Sequence, residues 1–374
     1  MRKKFFIITT VLFLLSVLNF ECICVDCENT YDLSSDLSND FFSEIDAEIK
    51  DALEAIGISD FDYTQIYNVS FDNFLEYFAT TLPEKFSNCL SHFVSLLGIV
   101  LIISLINTFF INGSNADFFK ILTVVCVSIT TVGKLNVCIN SIITAIRLSG
   151  NFMLSFVPVL VLLISVSGNP TSAITYNTFI MSFTQVVSAF INYFAVDVMG
   201  CFLCLCICVN MNSMFNINRL LNTANKAASF ILGITASVFT GFLSLKNVMS
   251  VSIDSVAVKG IRFAISSLIP VLGSSISEAY SSILGSINLI KSSSAVIGII
   301  AIVIINIPIL TEVLLYYFSL SVLSYISEAT GCNSMSDTFR SFACALRILM
   351  LLCVFQMFIL IISTGIMMLI KGGI

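Results

Sequence analysis

Past residue 92 this chain is one apolar run after another, and no other feature constrains its fold as much. The runs are Phe93–Phe110, a stretch from about 121 to 146 interrupted by Gly133 and Lys134, Phe152–Val166, Tyr176–Val196, Met199–Met211, Ser229–Leu245, Ala295–Phe318 and Ile348–Ile370. Crossing a hydrocarbon core of about 30 Å takes roughly 20 helical residues. Phe93–Phe110, Tyr176–Val196, Ala295–Phe318 and Ile348–Ile370 meet that length, whereas the shorter runs read as buried, broken or re-entrant. In lipid every backbone N–H and C=O must find a partner inside the structure, which leaves helices or a closed barrel. No alternating ten-residue strands indicate a barrel. The expectation is an all-α, polytopic integral membrane protein with about seven to eight membrane helices, some short, kinked or re-entrant.

Composition supports the same class. The chain is 57% hydrophobic and 11% charged, against about 45–50% and about 25% in a soluble domain. That much apolar surface cannot be hidden in one aqueous core, so most of it must face lipid. The net charge of −6 is concentrated at one end. Apart from Asp117, Asp197, Asp254, Glu278, Glu312, Glu328 and Asp337, every acid lies between Glu21 and Glu84. No basic stripe points to nucleic acid.

The N-terminus reads as an export signal. Arg2, Lys3 and Lys4 precede an apolar run from Phe5 to Leu18, an n-region followed by an h-region. The segment "NFECICVDC" has no clean small-x-small cleavage site, so a cleaved signal and an uncleaved anchor both remain open. Cys22, Cys24 and Cys27 at this junction fit either an exported disulfide or removal with the signal. The division is 1–24 signal peptide, 25–91 acidic exported helical segment and 92–374 polytopic membrane domain. In the exported segment Ile45, Ile49, Leu53 and Ile56 recur at helical spacing with acids opposite, an amphipathic helix that needs a surface to pack on.

If the head is exported and every run spans, Arg219, Lys226, Arg340 and Arg347 fall on the cytoplasmic side, as the positive-inside rule prefers. Lys246, Lys259, Arg262 and Lys291 fall outside. They belong to a Ser- and Gly-rich stretch, 246–293, that reads as amphipathic helices lying on or dipping into the bilayer.

Two of the five prolines stand in an echoed phrase: "SFVPVL" around Pro158 and "SLIPVL" around Pro270. Proline inside a helix removes a backbone hydrogen bond and clashes with the preceding turn. Ser155 and Ser267, each three residues earlier, are placed to bond the loosened turn, and Gly273 follows the second phrase. One reading is a pair of discontinuous helices in two related halves, as in many transporters; the other is two ordinary kinks. Glu312, four residues after Pro308, is the one acid well inside a long apolar run, and an intramembrane acid is a functional candidate by default. Alternatively it is protonated and hydrogen-bonded between helices. His92 reads as an interfacial side chain, and Cys201, Cys204, Cys206 and Cys208 as small apolar packing residues. No P-loop, H-E-x-x-H, G-x-S-x-G or paired intramembrane carboxylates occur. The sequence therefore suggests no enzyme and no cofactor.

From residue 218, "NRLLNTANKAASFILGITASVFTGFLSL" leads to "SVAVKGIRFAISSLIPVLGSSISEAYSSILGSINLIKSSSAVIGIIAI". With the earlier "SFVPVLVLLISVSG", this resembles the stage III sporulation protein AE family of endospore-forming bacteria. The likeness is most specific from Gly241 to Ile302, around Arg262, Ile269, Pro270, Val271, Gly273 and "INLIKSSSAVIGI". The head is more acidic and the cysteines more numerous than the family leads one to expect. The resemblance implies a permease-like subunit of the trans-envelope channel or feeding-tube complex that links mother cell and forespore and sustains late forespore development. It also implies residence in the mother-cell-derived outer forespore membrane, with the head in the intermembrane space. The expected partners are other membrane proteins of that complex, the lipid bilayer and, in one arrangement, further copies of the chain. The family carries no assigned catalytic residues. The competing hypothesis is a stand-alone secondary transporter of a small solute, with a midplane site built from the proline-broken segments and Glu312.

Overall fold

The computed structural model describes residues 47–56, 58, 71–110, 116–193, 198–211, 217–268 and 273–369. The expected signal segment and most of the acidic head lie outside them. Among these residues eight helices follow one another: α1 Ala47–Ile56, α2 Phe71–Phe110, α3 Ala116–Val166, α4 Pro170–Tyr193, α5 Met199–Met211, α6 Ile217–Leu268, α7 Gly273–Ala329 and α8 Asn333–Leu369. Among the described residues there is no strand.

Four of these helices contain segments long and apolar enough to cross a membrane: Glu76–Asn107, Phe118–Val166, Ile290–Ala329 and Asn333–Met368. The shorter α5 is apolar but is only 13 residues long. The expectation of seven to eight spans exceeds these four: the runs Tyr176–Val196 and Ser229–Leu245 fall largely in α4 and α6, which are not among them, and elsewhere two runs are joined. The runs at 121–146 and 152–166 are a single helix, α3, because neither Gly133, Lys134 nor Pro158 interrupts it. The 49 residues of Phe118–Val166 reach about 74 Å at 1.5 Å per residue, more than twice the hydrocarbon thickness. Likewise α2 passes without a break through residue 91, where the head was expected to end.

α7 and α8 form the central antiparallel pair, and α3 packs against both. α2 lies along α7, α4 against α3 and α6, and α6 also touches α8. Phe152, Phe156, Phe339, Phe342, Ile142 and Ile146 fill the interior. The outward faces are apolar as well: Ile129, Phe318 and Phe230 are each about two-thirds exposed or more (73%, 66% and 68%). Exposure of a large apolar side chain to water forfeits about 1.5–3 kcal/mol relative to burial. A helix apolar on both its packed and its outward face is the pattern of a membrane helix.

Two Schellman turns close the hairpins. Gly168 (φ 86°) ends α3 and Gly331 (φ 77°) ends α7. In each, the N–H of the residue after the glycine reaches the carbonyl five residues back: Asn169 to Ile164, 3.1 Å, and Cys332 to Ser327, 2.9 Å. The left-handed backbone suits a residue without Cβ. Pro170 then opens α4 at the first helical position, where its missing N–H costs nothing. The amphipathic pattern in the head is realised in α1, where Ile49, Leu53 and Ile56 are buried as the helix packs on α2 and α7.

Candidate functional site

A polar seam runs between α2, α3 and α7. On α2, Lys85, Cys89 and His92 recur at i, i+4 and i+7, one helical face. On α7, Glu312 and Tyr316 stand one turn apart. The Lys85 Nζ donates to the Glu312 carboxylate at 2.7 Å, with the two side chains 26% and 18% exposed. The His92 ring meets Tyr316 edge-on at 5.9 Å, and its Nε2 lies 3.4 Å from the Thr130 carbonyl of α3. Glu312 is therefore an ion-paired acid. Its pairing with a cation 227 residues away in sequence is why local reading singled out the acid and passed over Lys85. The half-shielded pair is on the order of 1–3 kcal/mol to break from one side, less than the ~3–5 of a fully buried pair.

Of the two expected breaks, the one at Pro158 falls inside a continuous helix. α3 continues through Pro158 and α7 through Pro308. Pro158 is exposed while Phe156, Val157, Val159 and Leu160 around it are buried. Tertiary packing on both flanking turns holds the helix together where local propensity would break it. No hydrogen bond from Ser155 is seen among the described residues. α6 ends at Leu268 and α7 begins at Gly273; Pro270 between them, and the side chain of Ser267, lie outside the described residues.

α3 and the start of α4 nonetheless meet α7 and α6 through other residues. Gly298, in the "AVIGII" run of α7, abuts the Phe156 ring so closely that an added Cβ would stand 2.3 Å from its Cε1. Further along, Asp254 of α6 caps the start of α4. Its carboxylate accepts from the Thr171 N–H at 3.1 Å, the Ser172 N–H at 2.9 Å and the Ser172 hydroxyl at 2.7 Å. An anion at a helix N-terminus satisfies orphan N–H groups and complements the macrodipole. With 1% exposure, Asp254 is a buried tie between the 246–293 stretch and the hairpin after Pro158. In the same place, a Cβ on Gly168 would lie 3.1 Å from Val258. The described parts of the Ser- and Gly-rich stretch are thus helices α6 and α7 folded onto the bundle.

A third polar group sits in the middle of α3, α7 and α8. The Asn306 amide donates to the Ser149 hydroxyl at 2.8 Å and to the Ile302 carbonyl at 2.7 Å. The Cys353 thiol donates to Asn306 at 3.5 Å, and Gln356 reaches the Ile146 carbonyl at 3.3 Å. All four side chains are buried. Such interhelical bonds fix which helix faces meet where apolar packing alone is permissive. Asn306 was detectable as a polar residue inside the run Ala295–Phe318; nothing marked its partners.

The stage III sporulation protein AE family model matches residues 60–369, a range that contains all three polar groups. The chain belongs to the stage III sporulation protein AE family. Among curated proteins, Stage III sporulation protein AE of Bacillus subtilis (strain 168) is 22% identical over 171 residues, 46% of this chain. That alignment spans 43% of the relative's length. No solved structure matches the chain.

In this stage III sporulation protein AE family member, no three His, Cys, Asp or Glu side chains are grouped to hold a metal among the described residues. The cysteines of α5 divide by face. Cys206 is buried, but Cys201, Cys204 and Cys208 point outward, so only one of the four is a packing residue in the core.

Proposed function

We propose that this sporulation membrane protein is a non-enzymatic, permease-like subunit of the trans-envelope channel or feeding-tube complex between mother cell and forespore. It would reside in the mother-cell-derived outer forespore membrane, with its head in the intermembrane space. The observation that carries the reading is membership of the stage III sporulation protein AE family over residues 60–369. The length of α3 and α7 supports it. Their apolar segments of 49 and 40 residues amount to about 74 and 60 Å of helix, long enough to extend past a bilayer. Helix that emerges from the membrane offers surface to other membrane proteins of the complex or to further copies of the chain.

Deleting the gene in the source organism and inducing sporulation should arrest engulfed forespores and silence a late forespore reporter. Normal spores would overturn the reading. A stand-alone secondary transporter of a small solute is favoured by one observation, the Lys85–Glu312 pair within apolar helices. The pair separates the two ideas. As a structural tie, Glu312→Gln should impair sporulation and Lys85→Gln with Glu312→Gln should largely restore it, because no lone charge is left. As a proton-coupling acid, Glu312 would be irreplaceable and the double variant would stay inactive.

A further inference from the structure

A polar stripe on the outside of α3 belongs to none of the polar groups described so far. Asn136, Asn140, Thr144, Arg147 and Asn151 recur every three or four residues and are all exposed, while Cys138, Ile142, Ile143, Ile146 and Ser149 between them are buried. At 100° per residue the five share an arc of about 80° and run along about 22 Å of helix. Among the described residues none of these five side chains is hydrogen-bonded or ion-paired. Arg147 is the one charge on the stripe.

Two interhelical bonds fix the depth of the stripe. Ser149, two residues from Arg147, accepts from Asn306, and the Ile146 carbonyl accepts from Gln356. Asn306 and Gln356 lie well inside Ala295–Phe318 and Ile348–Ile370, the span-length runs of α7 and α8. Arg147 therefore projects outward at the depth of those runs. An arginine facing hydrocarbon there is strongly disfavoured, and an ionisable side chain at such depth as a rule faces a bundle interior or a water-filled cavity. Lipid contact at the same level looks different: Val354 of α8, next to Cys353, is exposed and apolar.

A dry contact between copies of the chain is disfavoured as well. α3 carries no acid after Asp117, so two copies meeting through this face would set Arg147 against Arg147 with nothing to neutralise them. Copies arranged around water keep the guanidinium groups hydrated and apart. Asn side chains both donate and accept, as does the Thr hydroxyl, so the rest of the stripe suits a wall in contact with water. Rings of Arg or Lys are a recurrent means by which pores admit anions.

We propose that this face of α3 lines a water-filled path through the membrane, walled by copies of this chain, in which Arg147 selects small anions. The inference rests on the channel-subunit reading and adds to it a lining surface and the charge of the solute. Since the stripe is exposed and makes no side-chain bonds, its residues can be replaced without disturbing the buried core.

The test uses the full-length chain in lipid vesicles, with Asn140→Cys, Thr144→Cys or Asn151→Cys introduced one at a time. Modification by membrane-impermeant thiosulfonates is read at the added cysteine by peptide mass spectrometry. Val354→Cys, exposed on α8 at the same depth, is the lipid-facing control. The stripe positions should be modified and Val354→Cys should not; equal protection of all of them would overturn the path. At Thr144→Cys an anionic thiosulfonate should react about fivefold faster than a cationic one, the effect of one nearby charge in screened water. Arg147→Gln should abolish that preference and Arg147→Lys should keep it. A preference that survives Arg147→Gln, or that is absent from the start because a partner's acid answers the arginine, would overturn the anion selectivity. Photobleaching steps counted on the dye-labelled chain in dilute vesicles should show several copies per spot, and single copies would overturn the chain as its own wall. None of these readouts involves sporulation. Normal spores after gene deletion would sink the channel-subunit reading and leave a wet stripe standing, whereas arrested spores with dry stripe positions would do the reverse.

Discussion

Alanine at position 298 would force a methyl group into the space now held by an aromatic ring. The added Cβ would stand 2.3, 2.5 and 3.1 Å from Cε1, Cζ and Cδ1 of Phe156, where carbon atoms normally rest about 3.5–4.0 Å apart. The overlap is therefore about 1 Å or more by this measure at two atoms. Phe156 has little room to retreat. It is 0% exposed and its ring stacks on Phe152 with centroids 5.2 Å apart. Overpacking of a tight core costs typically 1–3 kcal/mol, and this geometry argues for the upper end, about 3 kcal/mol. Thermal unfolding of the purified chain in detergent, with the exposed thiols alkylated beforehand and the remainder followed by a thiol-reactive dye, would read the loss, because Cys138 and Cys353 are buried until the bundle opens. Gly298→Ala should unfold at clearly lower temperature. Phe156→Leu alone should also destabilise, by a cavity term of about 1–2 kcal/mol. The combined variant should be no worse than Phe156→Leu, since the smaller side chain makes room for the methyl. Simple addition of the two penalties, or parental stability of Gly298→Ala, would refute the close approach of α3 and α7 at this point.

Two further predictions concern the same hairpin. Asp254→Ala removes three bonds from the first turn of α4 and should cost about 2–4 kcal/mol, with Asp254→Asn in between, on the scale of buried caps and charge-assisted bonds; the thiol assay checks the order, and an alanine variant as stable as the parent would remove the cap. Pro158→Ala should stabilise the chain by about 1–3 kcal/mol, because alanine restores a backbone bond in a helix that is already continuous. A sharp loss of stability or of sporulation in that variant would show that α3 needs its proline.

The membrane class and the all-helical fold were legible because they follow from amounts and periods that no packing detail can reverse. Apolar runs of span length leave only helices in lipid, and α7 and α8 grew from Ala295–Phe318 and Ile348–Ile370 as those runs require. Ile49, Leu53 and Ile56 likewise announced the buried face of α1. The family likeness was also readable, since it rests on residue order. What resisted reading was everything decided by long-range contact. Pro158 looked like a break because a proline's local effect is unfavourable, yet packed turns on both sides carry the helix through. Glu312 looked solitary because Lys85 is distant in sequence, and Asp254 looked like one scattered acid until α6 laid it on the first turn of α4.

By itself, then, the sequence determined the solvent this chain must live in, its helical class and its family, because hydropathy and backbone hydrogen bonding are properties of local stretches. Only the tertiary structure decided which polar residues face each other: Lys85 with Glu312, Asp254 with Ser172, Asn306 with Ser149, Arg347 with Tyr317. The physical reason is that apolar helices pack with little orientational preference, so a few buried polar contacts set their register, and those contacts join residues that no local period connects.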